Sequence, residues 1–349
     1  MGLTVVAGLA VLTTGCGGTA PSAASPGAPS PLSSTPTGHD GPVNPPAEPP
    51  AAGSQSATSG GALFGGNAPL AVEGSNLGRR LAIVRVYYHI GQAFPGPGIR
   101  QLMAGGSTLL VSLDSSRASY AQIAAGDQDA QISAFLRAVD QAAIQYHLGA
   151  IYISFEHEPD GPKHAGLGSP AQFLSAWDRV HALAESAGLN WNDGGRLHWV
   201  LILIHNTYKN GRAHPYWPGS GEVDIVAADG YNSYACRVAQ YGGRLSSAAN
   251  AAVTPALLFS PLIAFARAHG GLPVFISEWG SDLAPAGAQP TFIHEMQAFV
   301  AHNREIGAAL YWDSNHNCSF IVNGNPMSVA ALAAMGRSPA LQGRVTLAS

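Results

Sequence analysis

The sequence predicts an α/β protein, a (β/α)8 TIM barrel forming a single domain behind a disordered N-terminal tether. Three observations carry this. Eight short apolar runs bounded by turn residues alternate with longer segments of helical period, the pattern of repeated βα units around a parallel sheet. Of the 349 residues, roughly 290 have the composition to bury a core, which suits one such barrel. The first sixty or so residues have a different composition, poor in the large apolar and charged residues that a folded domain needs.

The elements follow in chain order. Residues 1–16 hold an apolar stretch, 3–14, ending in Thr13-Thr14-Gly15-Cys16, which resembles a bacterial lipoprotein signal whose Cys becomes the lipidated mature N-terminus. The stretch is too short to span a bilayer permanently. It departs from the pattern in lacking a positive n-region, since the first basic residue is Arg79. Residues 17–60 are Pro, Ser, Thr, Ala and Gly with only Asp40 and Glu48 charged, and ten of the 25 prolines fall between Pro21 and Pro50. Such a stretch cannot offset chain entropy by apolar burial, so a semi-extended tether is expected, holding the domain away from a membrane. The barrel domain is expected over 61–349.

Strands are expected near 62–64, 82–88, 108–113, 150–155, 198–204, 223–228, 273–277 and 308–312. Between them, Ile132, Phe135, Leu136, Val139 and Ala143 recur at helical spacing, as do Phe173, Trp177, Val180 and Ala184. Ser169-Pro170-Ala171-Gln172 reads as a capping box with Pro at the first helical position. Ser260-Pro261 is expected to open another helix, which Gly270-Gly271 closes.

Charge and cysteines bound the function. The formal net charge is -4 and no basic run exists to neutralise phosphates, which argues against nucleic acid as a partner. Apart from Cys16, Cys236 and Cys318 are the two remaining thiols, and in an oxidising compartment they are expected to pair. No two cysteines have zinc-ligand spacing. His157-Glu158 begins like a metalloprotease helix, but the second His would fall at Gly161 and Pro159 would break the helix, so no metal or other cofactor is expected.

If the fold is the barrel, polar residues at the C-terminal ends of its strands meet in one site however distant in sequence. Two ends carry glutamates: the fourth strand runs into Glu156-His157-Glu158-Pro159-Asp160-Gly161, and the seventh into Glu278-Trp279-Gly280. A charged carboxyl at the end of an apolar strand is not placed for packing. Two carboxyls on one cleft are what glycosidic cleavage needs, one to protonate the departing oxygen and one to attack the anomeric carbon or activate water. Of these residues, Glu156 reads either as a supporting partner behind the site or as a solvated residue, the second being the favoured reading. His205 and Asn206 end the fifth strand and can line the cleft.

These motifs resemble the retaining glycosidases of clan A, and within it glycoside hydrolase family 26, the β-mannanase family. The likeness rests on His157-Glu158 followed by two residues and then Gly161, on Trp177, on Tyr216-Trp217-Pro218-Gly219 before Val223-Asp224-Ile225-Val226, and on Asp229-Gly230-Tyr231-Asn232. The resemblance implies Glu158 as acid/base, Glu278 as nucleophile, His157 near the nucleophile and the sugar, and Tyr231 donating to Glu278. Trp217, Trp279 and Trp312 would offer flat apolar faces to sugar rings. The family's Arg-Pro-Phe-His-Glu-Met-Asn-Gly stands here as Ser154-Phe155-Glu156-His157-Glu158-Pro159-Asp160-Gly161, so mannan as the substrate is not implied with the chemistry. The expectation is a monomeric, endo-β-mannanase-like hydrolase, extracellular or lipid-anchored at the cell membrane, acting on a β-linked polysaccharide. The competing readings are a non-catalytic carbohydrate-binding barrel and a transglycosidase of wall polysaccharide.

Overall fold

The computed structural model describes residues 58–68, 70, 77–233, 236, 253–283, 287–315 and 318–345. The proposed signal, Cys16 and nearly all of the tether lie outside these. Among the described residues no helix is long and apolar enough to cross a membrane.

Among the described residues ten strands form one sheet: β1 (Thr58–Gly61), β2 (Leu63–Asn67), β3 (Ile83–His89), β4 (Thr108–Asp114), β5 (Ile151–Phe155), β6 (Leu197–Ile204), β7 (Ile225–Asn232), β8 (Val274–Ser281), β9 (Ile306–Tyr311) and β10 (Leu341–Val345). Strands β2 to β9 run parallel in sequence order, and β2 also pairs with β9 from Leu63↔Ala308 to Gly66↔Tyr311, which closes the barrel. These eight are the expected strands. The antiparallel pair β1 and β10, joined to β2 at Gln342↔Leu63, had no expected counterpart.

Among the described residues the helices are α1 (Pro97–Ala104), α2 (Tyr120–Ala125), α3 (Asp129–Gln145), α4 (Pro170–Glu185), α5 (His205–Lys209), α6 (Pro255–Ala268), α7 (Ala288–His302) and α8 (Pro326–Arg337). In α3 the buried face is the expected Ile132, Phe135, Leu136, Val139 and Ala143, with Ala142, and in α4 it includes Phe173, Trp177, Val180 and Ala184. Ser169 caps α4 with the reciprocal Gln172 bond that its spacing predicts. Helix α6 starts earlier than expected. Thr254 accepts from the Leu257 N–H and Pro255 takes the first turn, so Pro261 lies inside the helix rather than at its start.

Alternation along the strands sorts side chains into two layers. Outward residues such as Val84, Val111, Ile153, Leu201, Val226 and Ile276 pack against the helices. Inward residues Leu63, Ile83, Leu110, Tyr152, Ile202, Phe275 and Leu310 fill the lower lumen as a separate apolar plug. Above the plug, toward the C-terminal ends of the strands, the lumen becomes polar, with Arg85, Ser112, Ser154, Asp229 and Ser277 all buried. That change of character sets the position of the site.

Candidate active site

A cleft of about 850 Å3 opens over the polar layer, and Glu158, Glu278, His157, Tyr87, Tyr231 and Trp312 line it. Glu278 reaches it through an irregularity in β8. Ile276 faces Ala228 of β7 and Ala309 of β9, whereas Glu278 faces Asp229 and Trp279 faces Tyr311, so β8 carries one extra residue at Ser277 relative to both neighbours. Strict alternation from the inward Phe275 would turn Glu278 outward and Trp279 inward. The bulge reverses that. Ser277 stays in the lumen, its hydroxyl donating to Asp229 Oδ1 at 2.6 Å, and Glu278 follows it inward.

The Glu278 carboxylate is densely solvated by donors. The hydroxyl of Tyr87 donates to Oε1, that of Tyr231 to Oε2, and Arg85 Nη1 lies 3.1 Å from Oε1. The same Arg85 nitrogen is 2.8 Å from Asp229 Oδ1, and its Nη2 donates to Ser112 Oγ at 3.3 Å. Burial of this guanidinium is compensated by two carboxylates, which keep it charged.

Glu158 sits three residues past the end of β5, in a loop whose backbone is left-handed at both Glu156 (φ 50) and Glu158 (φ 54). Non-glycine residues occupy that region at a cost of order 1 kcal/mol or more, so the surroundings must hold it. The Glu158 N–H donates to Ile202 O at 2.9 Å, and its carbonyl accepts from Gly161 N and from His164 Nδ1, both at 2.8 Å. Asp160 fastens the far side of the turn by accepting from Ile204 N at 3.1 Å. The Glu158 side chain has no hydrogen-bond donor among the described residues. Burial, followed by the negative charges of Asp229 and Glu278, pushes its pKa up to about 9 against the opposing pull of Arg85. The two carboxyls on this cleft therefore stand in opposite environments, one surrounded by donors and one desolvated beside negative charge.

His157 lies edge-on to Tyr87 with ring centroids 5.3 Å apart. Burial, then the charges of Arg85, Lys163 and His164, holds its imidazole neutral, and its Nδ1 has no partner among the described residues.

No protein-family model matches the sequence, and no curated protein does. Solved structures match the fold. A family 26 β-mannanase from Bacteroides ovatus superposes with a TM-score of 0.56 over 80% of this chain and 89% of its own, at 13% identity. A modular endo-β-1,4-mannanase from Cellulomonas fimi gives 0.55 over 83% and 75%, at 15% identity. The catalytic domain of a family 26 endo-β-1,4-mannanase from Bacillus sp. JAMB-750 gives 0.53 over 80% and 86%, at 13% identity. This chain shares its (β/α)8 barrel fold with these enzymes. At these identities the likeness is one of fold, and the residues of the site are read from their own geometry.

That geometry corrects several expectations. Trp279 is fully buried outside the lumen, against Phe292 and Tyr311, because the bulge turned it there, and it offers no face to the cleft. Trp217 packs on Phe265 and His269 at the end of α6, away from the cleft. Asn206 lies in the one-turn helix α5, where the chain has already left β6, and does not line the cleft. Glu156 is not solvated: it is 1% exposed, accepts from the Ser115 N–H and stands 3.2 Å from His164 Nε2. Trp312 does line the cleft, edge-on to Tyr87 at 5.7 Å. Cys236 and Cys318 are joined by a disulfide, and Cys318 lies on the cleft wall.

Arg85 and Tyr87 were not anticipated. Their signal was present in Ile83-Val84-Arg85-Val86-Tyr87, where period-two reading puts both polar groups on the face of Ile83, in the lumen.

Proposed function

We propose that this protein is a retaining glycoside hydrolase that cleaves a β-linked polysaccharide by double displacement, with Glu278 as nucleophile and Glu158 as acid/base. The observation that carries this reading is the contrast between the two carboxyls. Glu278 is held by two hydroxyl donors and faces the Arg85 guanidinium, an arrangement that orients a carboxylate for attack on the anomeric carbon. Glu158 keeps its proton at neutral pH and delivers it to the departing oxygen. When Glu278 becomes esterified its charge disappears, which removes one of the causes that raise the Glu158 pKa. Glu158 then accepts a proton from the water that hydrolyses the intermediate, in the return step of the cycle.

Trp312 supplies an apolar face for a pyranose ring, and His157, neutral with an unpartnered nitrogen, supplies a hydrogen bond to a hydroxyl. β-Mannan and related β-1,3 or β-1,4 glycans are the proposed substrates, by analogy of fold with the mannanases. The Cys236–Cys318 disulfide supports an exported protein, and lipidation at Cys16 remains part of the proposal. Metabolic labelling with a palmitate analogue should mark the native protein and fail to mark Cys16→Ala.

A panel of β-glycans assayed for reducing-end release tests the substrate. Glu278→Ala should lose essentially all turnover on whichever glycan is cut, and a 2-fluoro-sugar should label Glu278 as a covalent adduct. Persistence of most activity in Glu278→Ala, or labelling elsewhere, would sink the assignment.

A further inference from the structure

A second pocket, of about 530 Å3, adjoins the cleft and shares His89, Asp114 and Lys163 with it. It lies over the ends of β3, β4 and β5, beside the loop that carries Glu158. Its two acids and two permanent cations differ in what they face: the acids are turned to protein donors and the cations to solvent. Asp114 is already engaged, by His89 Nδ1 at 2.5 Å and by the Ser116 N–H at 2.8 Å. Glu156 is engaged at the floor by the Ser115 N–H and His164. Each acid of the pocket thus has its partners. The two permanent cations on its wall, Arg117 and Lys163, have no ion pair among the described residues, and both are exposed to the pocket's solvent.

The turn bearing Arg117 is also an unusual one. Ser116 (φ 54) and Arg117 (φ 77) are successive non-glycine residues in the left-handed region, and the Asp114 carboxylate and the Ala118 N–H bond to Ser115 O hold them there. With Glu156 buried and Asp114 turned to His89 and the Ser116 N–H, Arg117 and Lys163 are the charged groups the pocket leaves open to a ligand. Lys163 is near enough to the catalytic loop for its charge to be felt at His157.

From this arrangement we infer that the pocket is a subsite for an anionic sugar, and that the preferred substrate is a β-glycan bearing carboxylate or phosphate groups. The inference rests on the glycosidase reading above and narrows its substrate class. A planar guanidinium and an ammonium on the wall of one pocket suit either oxyanion, the guanidinium by paired N–H donors and the ammonium as a point charge.

Titration calorimetry on the Glu278→Gln protein, which cannot consume its ligand, provides the test. The probes are β-1,3- and β-1,4-linked tetrasaccharides in three forms: neutral, capped with a uronate, or carrying a 6-phosphate. An acidic form should bind about ten-fold tighter than its neutral counterpart, and the advantage should shrink as NaCl rises from about 50 to about 500 mM. In Arg117→Gln/Lys163→Gln the acidic-to-neutral ratio should fall to near one, while Arg117→Lys/Lys163→Arg should keep most of it. Whichever acidic form binds better identifies the source of the charge. Equal binding of neutral and acidic forms would overturn the inference and leave the glycosidase reading intact. So would an advantage that survives removal of both cations. Failure of every tetrasaccharide to bind, with no glycan cleaved by the wild-type protein, would remove the glycosidase reading and the inference together.

Discussion

At the scale of single residues, the proposed division of labour between Glu158 and Glu278 comes from their neighbours, since the two side chains are chemically identical. The Tyr231 hydroxyl is one of three groups that face the Glu278 carboxylate. A hydrogen bond to a charged group contributes about 1.5–3 kcal/mol, so Tyr231→Phe should lower kcat by roughly 10- to 100-fold, as steady-state kinetics would read. Tyr87→Phe should cost a similar factor by the same argument. The pH profile follows from Glu158. Its pKa is raised to about 9, so the acid form is present below that pH and kcat/KM should fall as pH rises through it. Because burial comes first and the charge of Asp229 second among the causes, Asp229→Asn should move this basic limb toward lower pH without abolishing it. An unmoved limb would mean that burial and the Glu278 charge set the pKa without Asp229.

At the scale of elements, the barrel was legible because eight apolar runs and two amphipathic helices carry periodicities that burial imposes directly. Phe135 and Trp177 face the core for the same reason that their spacing is helical. The site was less legible, and β8 shows why. A bulge is a disagreement in residue count between neighbouring strands, so nothing within Val274–Ser281 alone announces it. Reading Trp279 as a sugar platform assumed that it shares the cleft with Glu278, but neighbours on a strand face opposite ways, and the extra residue at Ser277 decides that Glu278 is the one turned inward. Trp217 and Asn206 failed for a related reason: their loops leave the barrel in directions that only packing on Phe265 or the α5 turn decides. The difference between the tryptophans is measurable. Trp279→Ala should lower unfolding free energy by about 3–5 kcal/mol, as expected for a fully buried Trp, with little change in KM for the surviving folded fraction. Trp312→Ala should do the reverse, raising KM several-fold with a small change in denaturant midpoint. Equal loss of stability in both variants would contradict the assignment of Trp279 to the helix-facing layer.

At the scale of the whole molecule, the barrel is closed by hydrogen bonds, but the cleft rim is also tied covalently. Cys236 follows β7 and Cys318 follows β9, so their bond, 82 residues apart in sequence, encloses α6, β8, α7 and β9 in one loop. That loop includes the strand that positions Glu278. Restricting a loop of this length in the unfolded chain is worth roughly 4–5 kcal/mol in the chain-entropy account. The Cys236 N–H also donates to Asp282 Oδ2 at 2.9 Å, just beyond the end of β8, which couples the bridge to the strand bearing the nucleophile. Replacing both cysteines by serine should therefore lower the melting temperature by roughly ten degrees in calorimetry. Dithiothreitol should lower the wild-type melting temperature to a similar value and leave the double variant unmoved. Below the lowered melting temperature the barrel should still hold Glu278 in the lumen, because Arg85, Tyr87 and Tyr231 belong to β3 and β7 and lie outside the enclosed loop. Turnover at 25 °C should then persist in the reduced protein. Loss of activity without loss of fold would instead place the bridge in control of the geometry around the nucleophile.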